Sequence, residues 1–140
     1  GIKKPQLEKS IAELHAEDYI TLAGQSNHLQ DLYPQYDAFI SGSFSEGFGL
    51  TYIEALNAAL PVVSFNARFG ALELIKDGVN GFLQPFKRDD DQYDIDQLTV
   101  GIHRLLAADY PQLRKNTQQS VQDYRDSVIA KKWQVLINEL

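Results

Sequence analysis

Residues 37–65 read DAFISGSFSEGFGLTYIEALNAALPVVSF and decide the fold of this 140-residue chain. The stretch opens with a short apolar run, residues 37–41, that is typical of a β-strand. A loop with three glycines leads into an apolar segment, residues 50–60, which Pro61 ends, and residues 62–65 form a second β-type run. A strand, a loop, a helix and another strand in this order predict a parallel β-α-β unit.

The rest of the chain continues the alternation of helix and strand. The pattern predicts further strands at 19–23 and 81–83. It predicts further helices at 6–15, 28–34, 70–76, 94–108 and 111–139. Such alternation is typical of a parallel sheet with right-handed crossovers, so we expect residues 1–140 to form one α/β domain of Rossmann-like type.

The loop before the central helix is built to approach a ligand. Gly42, Gly47 and Gly49 permit positive φ and let the backbone come close to a bound group. The helix that begins near Gly49 or Leu50 would point unpaired N–H groups back at the loop, together with the positive end of its dipole. We therefore expect this end of the helix to favour a phosphate or another anion.

Two carboxylates, Glu46 and Glu54, lie eight positions apart across the loop and the helix. Apolar and small side chains cover most of residues 50–60, which predicts a helix that is buried nearly all round. A buried carboxylate without donors is costly, so Glu54 needs partners, and a vicinal diol such as a ribose would supply them. Simpler explanations remain: Glu46 as a solvated loop residue, and Glu54 in a structural network with Asn57 or an arginine.

The segment Glu46-Gly-Phe-Gly-Leu-Thr-Tyr-Ile-Glu54 resembles the E-x7-E signature of retaining glycosyltransferases of the GT-B fold, in the large family called GT4. Residues 58–65, AALPVVSF, are similar to the family's A-x-G-x-P-V-V strand, and residues 73–83, ELIKDGVNGFL, to its E-I-I-x-D-G-x-N-G-x-L segment. The resemblance covers residues 19–86 in unbroken order. Each segment alone has a structural explanation, such as turn chemistry at Asp77–Gly81, but their order and spacing favour the glycosyltransferase hypothesis.

The resemblance implies a role for each residue of the motif. Glu46 would be the catalytic residue that holds the hydroxyls of the donor sugar and stabilises positive charge on its ring. Glu54 would hold the ribose of the nucleotide. The residues between them that would contact the sugar and phosphate oxygens are Gly47, Phe48, Gly49, Leu50 and Thr51. Two weaker candidates are Arg68, as a sugar or phosphate contact, and Gln25, near the nucleobase, although a helix N-cap at Ser26 or Asn27 explains that segment equally well.

The same resemblance implies the reaction. The donor would be a nucleotide diphosphate sugar, UDP-glucose or UDP-N-acetylglucosamine, and transfer would retain the configuration at the anomeric carbon. The segment Asn66–Gly70 resembles the bacterial branch that glycosylates wall teichoic acid or serine-rich surface proteins, so we expect a cell-wall polymer or a surface protein as acceptor. No metal and no other cofactor is expected. The acidic run Arg88–Gln92 is best explained as a solvated loop, and His15, His28 and His103 lack the spacing of metal ligands.

GT-B enzymes resemble two facing Rossmann-like domains, and this chain is similar to the second, donor-binding one only. That domain usually opens with a strand and a loop whose arginine and lysine grip the diphosphate, which nothing here matches, including Lys3 and Lys4. We therefore expect this fragment to bind donor weakly and to be inactive alone. Without its usual neighbours, the strand at 19–23 predicts a rearranged sheet or an exposed edge that pairs with another copy.

Two other classes of function remain as alternatives. One is a non-catalytic glycosyltransferase-like partner subunit, although such subunits tend to lose the paired carboxylates. The other is a sugar-nucleotide epimerase of the same fold, or an unrelated nucleotide-binding module.

The composition narrows the partners and the location. The net charge is −6, and no basic stripe is present to meet phosphates, which argues against a nucleic-acid partner. There is no cysteine, and no apolar run is long enough to span a bilayer. We expect a cytoplasmic protein, with peripheral membrane contact in an intact enzyme.

Overall fold

The computed structural model describes residues 2–139. Its sheet has three parallel strands in the order β1-β2-β3: β1 (Phe39–Ser41), β2 (Val62–Phe65) and β3 (Gly81–Gln84). Phe39 lies opposite Val62 in the first pair of strands, and Val62 lies opposite Gly81 in the second. The α/β prediction and the parallel arrangement are confirmed.

The described residues also form seven α-helices. They are α1 (Lys4–Glu13), α2 (Leu29–Leu32), α3 (Leu50–Asn57), α4 (Gly70–Leu74), α5 (Asp91–Leu106), α6 (Tyr110–Ser120) and α7 (Asp126–Asn138). Short 3-10 turns follow α2 at Tyr33–Gln35 and α6 at Gln122–Tyr124. None of these helices is both long and apolar enough to cross a membrane.

The core lies on the two faces of the central strand. Side chains of successive residues on a strand point to opposite faces, and Val62 and Val63 accordingly belong to different clusters. Val62 packs with the larger cluster, which includes Tyr52 and Leu56 of α3. Val63 packs with Phe82, Leu105 and Leu113 on the other face.

The helix α3 is not buried all round, and this prediction is wrong. Tyr52, Ala55 and Leu56 are buried against the sheet. The opposite face is exposed and carries Leu50, Thr51, Glu54 and Asn57. A helix that packs on one face of a sheet buries only the stripe of side chains that faces the core. The apolar composition of residues 50–60 therefore led to an overestimate of the burial of α3.

The predicted strand at 19–23 does not form. Residues 21–26 have no assigned secondary structure, and Tyr19 and Ile20 are exposed. Strand backbone needs a partner for its N–H and C=O groups, and within residues 2–139 no strand lies beside this segment. The predicted exposed sheet edge is present instead at β1, where Ile40 is 48% exposed.

The C-terminal helix predicted at 111–139 is two helices. After α6 the chain turns at Val121, which is buried at 2% exposure, and α7 starts only at Asp126. The turn lets Val121 and Tyr124 reach the core cluster around α3. The preceding helix also starts earlier than predicted: Asp90 caps α5 by accepting from Tyr93 N at 3.0 Å, whereas Asp94 is buried and accepts from Lys87 N.

The turn Asp77–Gly81 has a structural role. Asn80 is fully buried, accepts from Lys76 N at 2.7 Å and donates to Leu74 O and Ser120 Oγ. Asp77 accepts from Leu83 N at 2.9 Å and pairs with Arg104 of α5 at 2.8 Å. The turn therefore ties β3 to α4, α5 and α6.

Candidate functional site

Glu54 stands on the exposed face of α3, in its second turn. Its Oε2 accepts a hydrogen bond of 3.0 Å from the hydroxyl of Tyr33. The side chain borders two cavities, one on each side, so it is an accessible carboxylate rather than the buried one that the sequence predicted.

The first cavity has a volume of about 280 Å³ and lies between Glu54 and the loop that enters α2. That loop and α2 contribute the remaining lining residues: Ser26, Asn27, His28, Leu29, Gln30 and Asp31. Ser26 Oγ accepts from His28 N at 3.0 Å, which folds the loop over the cavity. Two carboxylates in this wall disfavour a phosphate, whereas amides, an imidazole and a hydroxyl suit a neutral group with several hydrogen-bonding atoms.

The second cavity has a volume of about 350 Å³ and lies between α3 and the turn that follows α6. Besides Glu54 it is lined by Ile53, Asn57, Val121, Tyr124, Arg125 and Asp126. Arg125 and Asp126 bring both signs of charge to this wall. Because Glu54 faces both cavities, the carboxylate is the feature that the two share.

The N-terminus of α3 lacks a side-chain cap. Its N-cap is Gly49, in the left-handed region at φ 84°, and the first helical hydrogen bonds run from Tyr52 N and Ile53 N to Gly49 O. The N–H groups before Tyr52 have no partner within the helix. Gly49 is required here, because a Cβ at this position would come within 2.7 Å of the Tyr52 ring.

The other glycines of the loop do not use the left-handed region. Neither Gly42 nor Gly47 has a positive φ, so that part of the prediction is wrong. Gly47 has open space around a Cβ position, which leaves the backbone exposed. Leu50 and Thr51 are exposed in the first turn of α3, and Phe48 packs edge-on against Tyr124 at 5.9 Å.

Glu46 is half-buried in the middle of the loop between β1 and α3. Its carbonyl accepts from Phe69 N at 3.4 Å, which links the Glu46 loop to the segment before α4. Arg68 is exposed and adjoins Phe69, so it lies on the Glu46 side of the site. Glu46 is not among the lining residues of the two cavities that Glu54 borders.

Gln25 lies apart from the Glu54 cavities. It lines a separate space of about 550 Å³ between the start of α1 and residues 21–24. The structure therefore brings Ser26–Asp31 to Glu54, but not Gln25. Sequence reasoning missed Tyr33 and Asp31, since a hydrogen bond between residues 21 positions apart leaves no local pattern.

No group of three or more His, Asp or Glu side chains within residues 2–139 is arranged to hold a metal ion. The expectation that catalysis needs no metal stays a prediction.

Comparison with known proteins gives a consistent set of relatives. Residues 1–122 match the family described as Glycosyl transferases group 1. The chain is 33% identical over 142 residues to the UDP-N-acetylglucosamine--peptide N-acetylglucosaminyltransferase GtfA subunit of Limosilactobacillus reuteri subsp. suis. That match covers 100% of this chain and 28% of the relative.

Solved structures agree with the sequence matches. The pneumococcal O-GlcNAc transferase GtfA, in complex with UDP and GlcNAc, has a TM-score of 0.87 at 33% identity and covers 98% of this chain. A crystal structure of the GtfA/B complex has a TM-score of 0.85 at 32% identity and covers 99% of this chain. The chain spans only 27% and 28% of those two chains.

Proposed function

Because the chain belongs to the glycosyl transferases group 1 family, we propose that it is the donor-binding part of a retaining hexosyltransferase of the GT-B fold. The resemblance to GT-B glycosyltransferases predicted from the sequence is confirmed, while the GT4 assignment and the retaining reaction stay predictions. What is proposed is the activity of the whole protein and the role of each residue, since the GtfA relatives are more than three times as long as this chain.

The observation that carries the proposal is the position of Glu54. An accessible carboxylate on α3 faces a cavity of about 280 Å³ whose other wall is rich in uncharged hydrogen-bonding groups. A ribose diol can donate two hydrogen bonds to a carboxylate, and a nucleobase can pair with amide and hydroxyl groups. Glu54 would hold the ribose, with the base against Ser26–Asp31.

The rest of the donor would follow α3 toward its N-terminus. The unpaired N–H groups around Gly49 and Leu50 suit the charge of a leaving diphosphate. Phe48 and Thr51 flank this position, and Gly47 keeps the backbone open to the sugar. Glu46 would hold the sugar hydroxyls and stabilise positive charge as the glycosidic bond to the diphosphate breaks, with Arg68 as a further contact on that side.

The donor proposed is UDP-glucose or UDP-N-acetylglucosamine, and the acceptor a cell-wall polymer or a surface protein. The support is the similarity to a subunit named as a peptide N-acetylglucosaminyltransferase and to a transferase solved with UDP and GlcNAc. The cytoplasmic location expected from the sequence stays a prediction.

The exposed edge of β1 motivates a proposal about partners. Ile40 is 48% exposed at the edge, and a strand with a free edge pairs readily with another strand. We propose that this chain, produced alone, associates with a second copy through β1. Light scattering should give a dimer, and Ile40→Pro, which removes a backbone N–H donor at the edge, should give a monomer; a monomeric wild type would contradict the proposal.

Calorimetric titration tests the donor site. UDP, UDP-glucose and UDP-N-acetylglucosamine are titrated into the full-length protein that carries this sequence and into its Glu54→Ala variant. We expect saturable binding that Glu54→Ala weakens by ~1–3 kcal/mol, the range for losing a charged hydrogen-bond partner. Glu73→Ala, which removes an exposed carboxylate from α4, is the matched control and should bind as the wild type does.

Other outcomes point to the alternatives. Equal binding by wild type and Glu54→Ala, or no nucleotide binding, favours a partner subunit and makes Glu54 structural. Free nucleotide and an altered sugar formed without any acceptor identify an epimerase. Glu46→Gln should lose transfer while it keeps affinity for UDP, because its proposed partners are on the sugar.

A further inference from the structure

The hydroxyl of Tyr33 and the carboxylate of Glu54 form a hydrogen-bonded pair, and the donor-site proposal assigns a role only to Glu54. They come from separate elements, the 3-10 turn after α2 and the exposed face of α3, and meet at 3.0 Å. The carboxylate of Glu54 has no other hydrogen-bond partner within residues 2–139. The second carboxylate oxygen, Oε1, is thus left to the cavities that Glu54 borders.

Tyr33 is held far more firmly than Glu54. The tyrosine is buried at 7% exposure, whereas Glu54 is exposed. The Tyr33 ring packs edge-on against Phe39 of β1 with centroids 6.4 Å apart, and Phe39 packs edge-on against Tyr52 at 6.1 Å. These contacts fix the hydroxyl on a side chain that is anchored in the core.

In the hydrogen bond between the two side chains, the Tyr33 hydroxyl is the donor and Glu54 Oε2 is the acceptor. Burial, together with the hydrogen bond and the charge of Glu54, raises the pKa of Tyr33 to about 12, so the phenol keeps its proton at every pH the protein meets. An ionised carboxylate only accepts, so Tyr33 donates. A glutamate on an exposed helix face would otherwise sample several rotamers, and a fixed donor restricts that freedom.

We propose that Tyr33 is a positioning residue: its hydroxyl engages one oxygen of Glu54 and presents the other oxygen to the diol of the bound nucleotide. This inference rests on the proposed function, because it assumes that Glu54 meets a ribose. It goes beyond that function by assigning ligand affinity to a residue that does not itself touch the ligand. Pre-organising the carboxylate reduces the ordering that binding would otherwise require.

The test compares UDP with 2′,3′-dideoxy-UDP, which lacks the diol. Calorimetry on the full-length protein gives the Kd of both nucleotides for the wild type, Tyr33→Phe, Glu54→Ala and the double variant. We expect Tyr33→Phe to weaken UDP binding roughly 2- to 12-fold, as for a typical hydrogen bond, and to leave dideoxy-UDP binding unchanged. In the Glu54→Ala background the same substitution should change UDP binding less than about 2-fold, because the coupled partner is gone.

Tyr110→Phe is the matched control. Its hydroxyl donates to Asp37 O at 2.8 Å and lies 3.4 Å from Asp37 Oδ1, so this variant also removes a tyrosine hydroxyl beside an aspartate, but one away from the cavities. It should bind both nucleotides as the wild type does. A purely structural role for Tyr33 would shift the melting temperature of Tyr33→Phe and leave the UDP to dideoxy-UDP ratio unchanged.

The outcomes separate the two proposals. If Glu54→Ala weakens UDP binding and Tyr33→Phe does not, the positioning role is overturned and the donor site stands. If neither variant affects the diol-dependent part of binding, both are overturned. Should Tyr33→Phe fail to fold, ¹³C NMR of the wild type labelled at tyrosine Cζ is the deciding measurement. The chemical shift of Tyr33 should change on binding UDP and not on binding dideoxy-UDP. An equal change with both nucleotides overturns the positioning role.

Discussion

Two apolar runs of similar character, residues 19–23 and residues 37–41, end differently in this molecule. The second forms β1, because β2 lies beside it and Phe39 N donates to Pro61 O at 3.0 Å. The first has no strand beside it and stays irregular. The difference shows that β-type sequence is a capacity to pair, which becomes a strand only where a neighbour satisfies the backbone.

The contrast extends to the parts of the chain around these runs. The buried residues of both core clusters lie between Tyr33 and Val121, while α1 has no buried residue. Stability should therefore be concentrated in residues 33–121, and the N-terminal segment, residues 2–28, should open independently of it.

Hydrogen exchange tests the difference in stability between residues 19–23 and β1, and we expect it to show the largest effect. We expect the amides of Phe39 and Val62 to exchange at least about 1000-fold more slowly than those of Thr21 and Leu22, since only the former lie in the packed sheet. Mass spectrometry of exchanged peptides measures it. Equal protection in both segments would show that residues 19–23 are as firmly folded as β1.

The same exchange measurement on the full-length protein tests the cause of the difference. If residues 19–23 lack a strand only because no neighbouring strand pairs with them, the Thr21 amide should exchange more slowly in the full-length protein, at a rate closer to that of Phe39. Protection that stays low in the longer protein would mean that the segment is irregular by itself.

The strands and the central helix could be predicted from the sequence because the patterns that indicate them are local and agree with one another. Residues 62–65 are mostly apolar and bounded by Pro61, and residues 81–83 begin with Gly81 and follow a turn that contains Gly78. The interval between Glu46 and Glu54 likewise predicted a loop followed by a helix, and both are present. These features require no knowledge of the rest of the chain.

What sequence could not predict depends on contacts between distant residues. The exposure of Glu54 depends on how little covers the outer face of α3, and Tyr33 reaches it from 21 positions away. The break between α6 and α7 likewise follows from the core position of Val121. Such outcomes are decided by packing, which local propensity does not contain.

Two glycine substitutions, one in the sheet and one in the N-terminal segment, compare the stability of these two regions, and we expect an effect of intermediate size. In Gly81→Ala the new methyl group would overlap the carbonyl oxygen of Val62, so the backbone of β2 and β3 must separate. We expect the free energy of unfolding to fall by at least about 2 kcal/mol. Urea denaturation followed by circular dichroism measures it.

Gly24→Ala is the matched change in the N-terminal segment. Gly24 has φ 75° and open space around its Cβ position, so only backbone strain opposes the methyl group. That strain is about 1–2 kcal/mol. Because we expect residues 2–28 to open independently of the sheet, the loss in the free energy of unfolding should be smaller than that of Gly81→Ala. A loss as large as that of Gly81→Ala would show that residues 2–28 share the stability of the sheet.

The smallest expected effect is a pH-dependent one at Asp77. Hydrogen bonds from Arg104 lower the pKa of Asp77, so this carboxylate adds stability above its unfolded pKa of about 3.9, and that stability is lost as pH falls through the lower folded value. Both side chains are more than a third exposed, so Asp77→Asn should cost less than about 1 kcal/mol at pH 7. Its melting temperature should approach that of the wild type below about pH 4, because protonated Asp77 no longer pairs with Arg104. Asp18→Asn, an exposed change in the N-terminal segment without a side-chain hydrogen bond or ion pair to residues 2–139, is the matched control and should have the melting temperature of the wild type at pH 7. A difference there would show that residues 2–28 unfold together with the sheet.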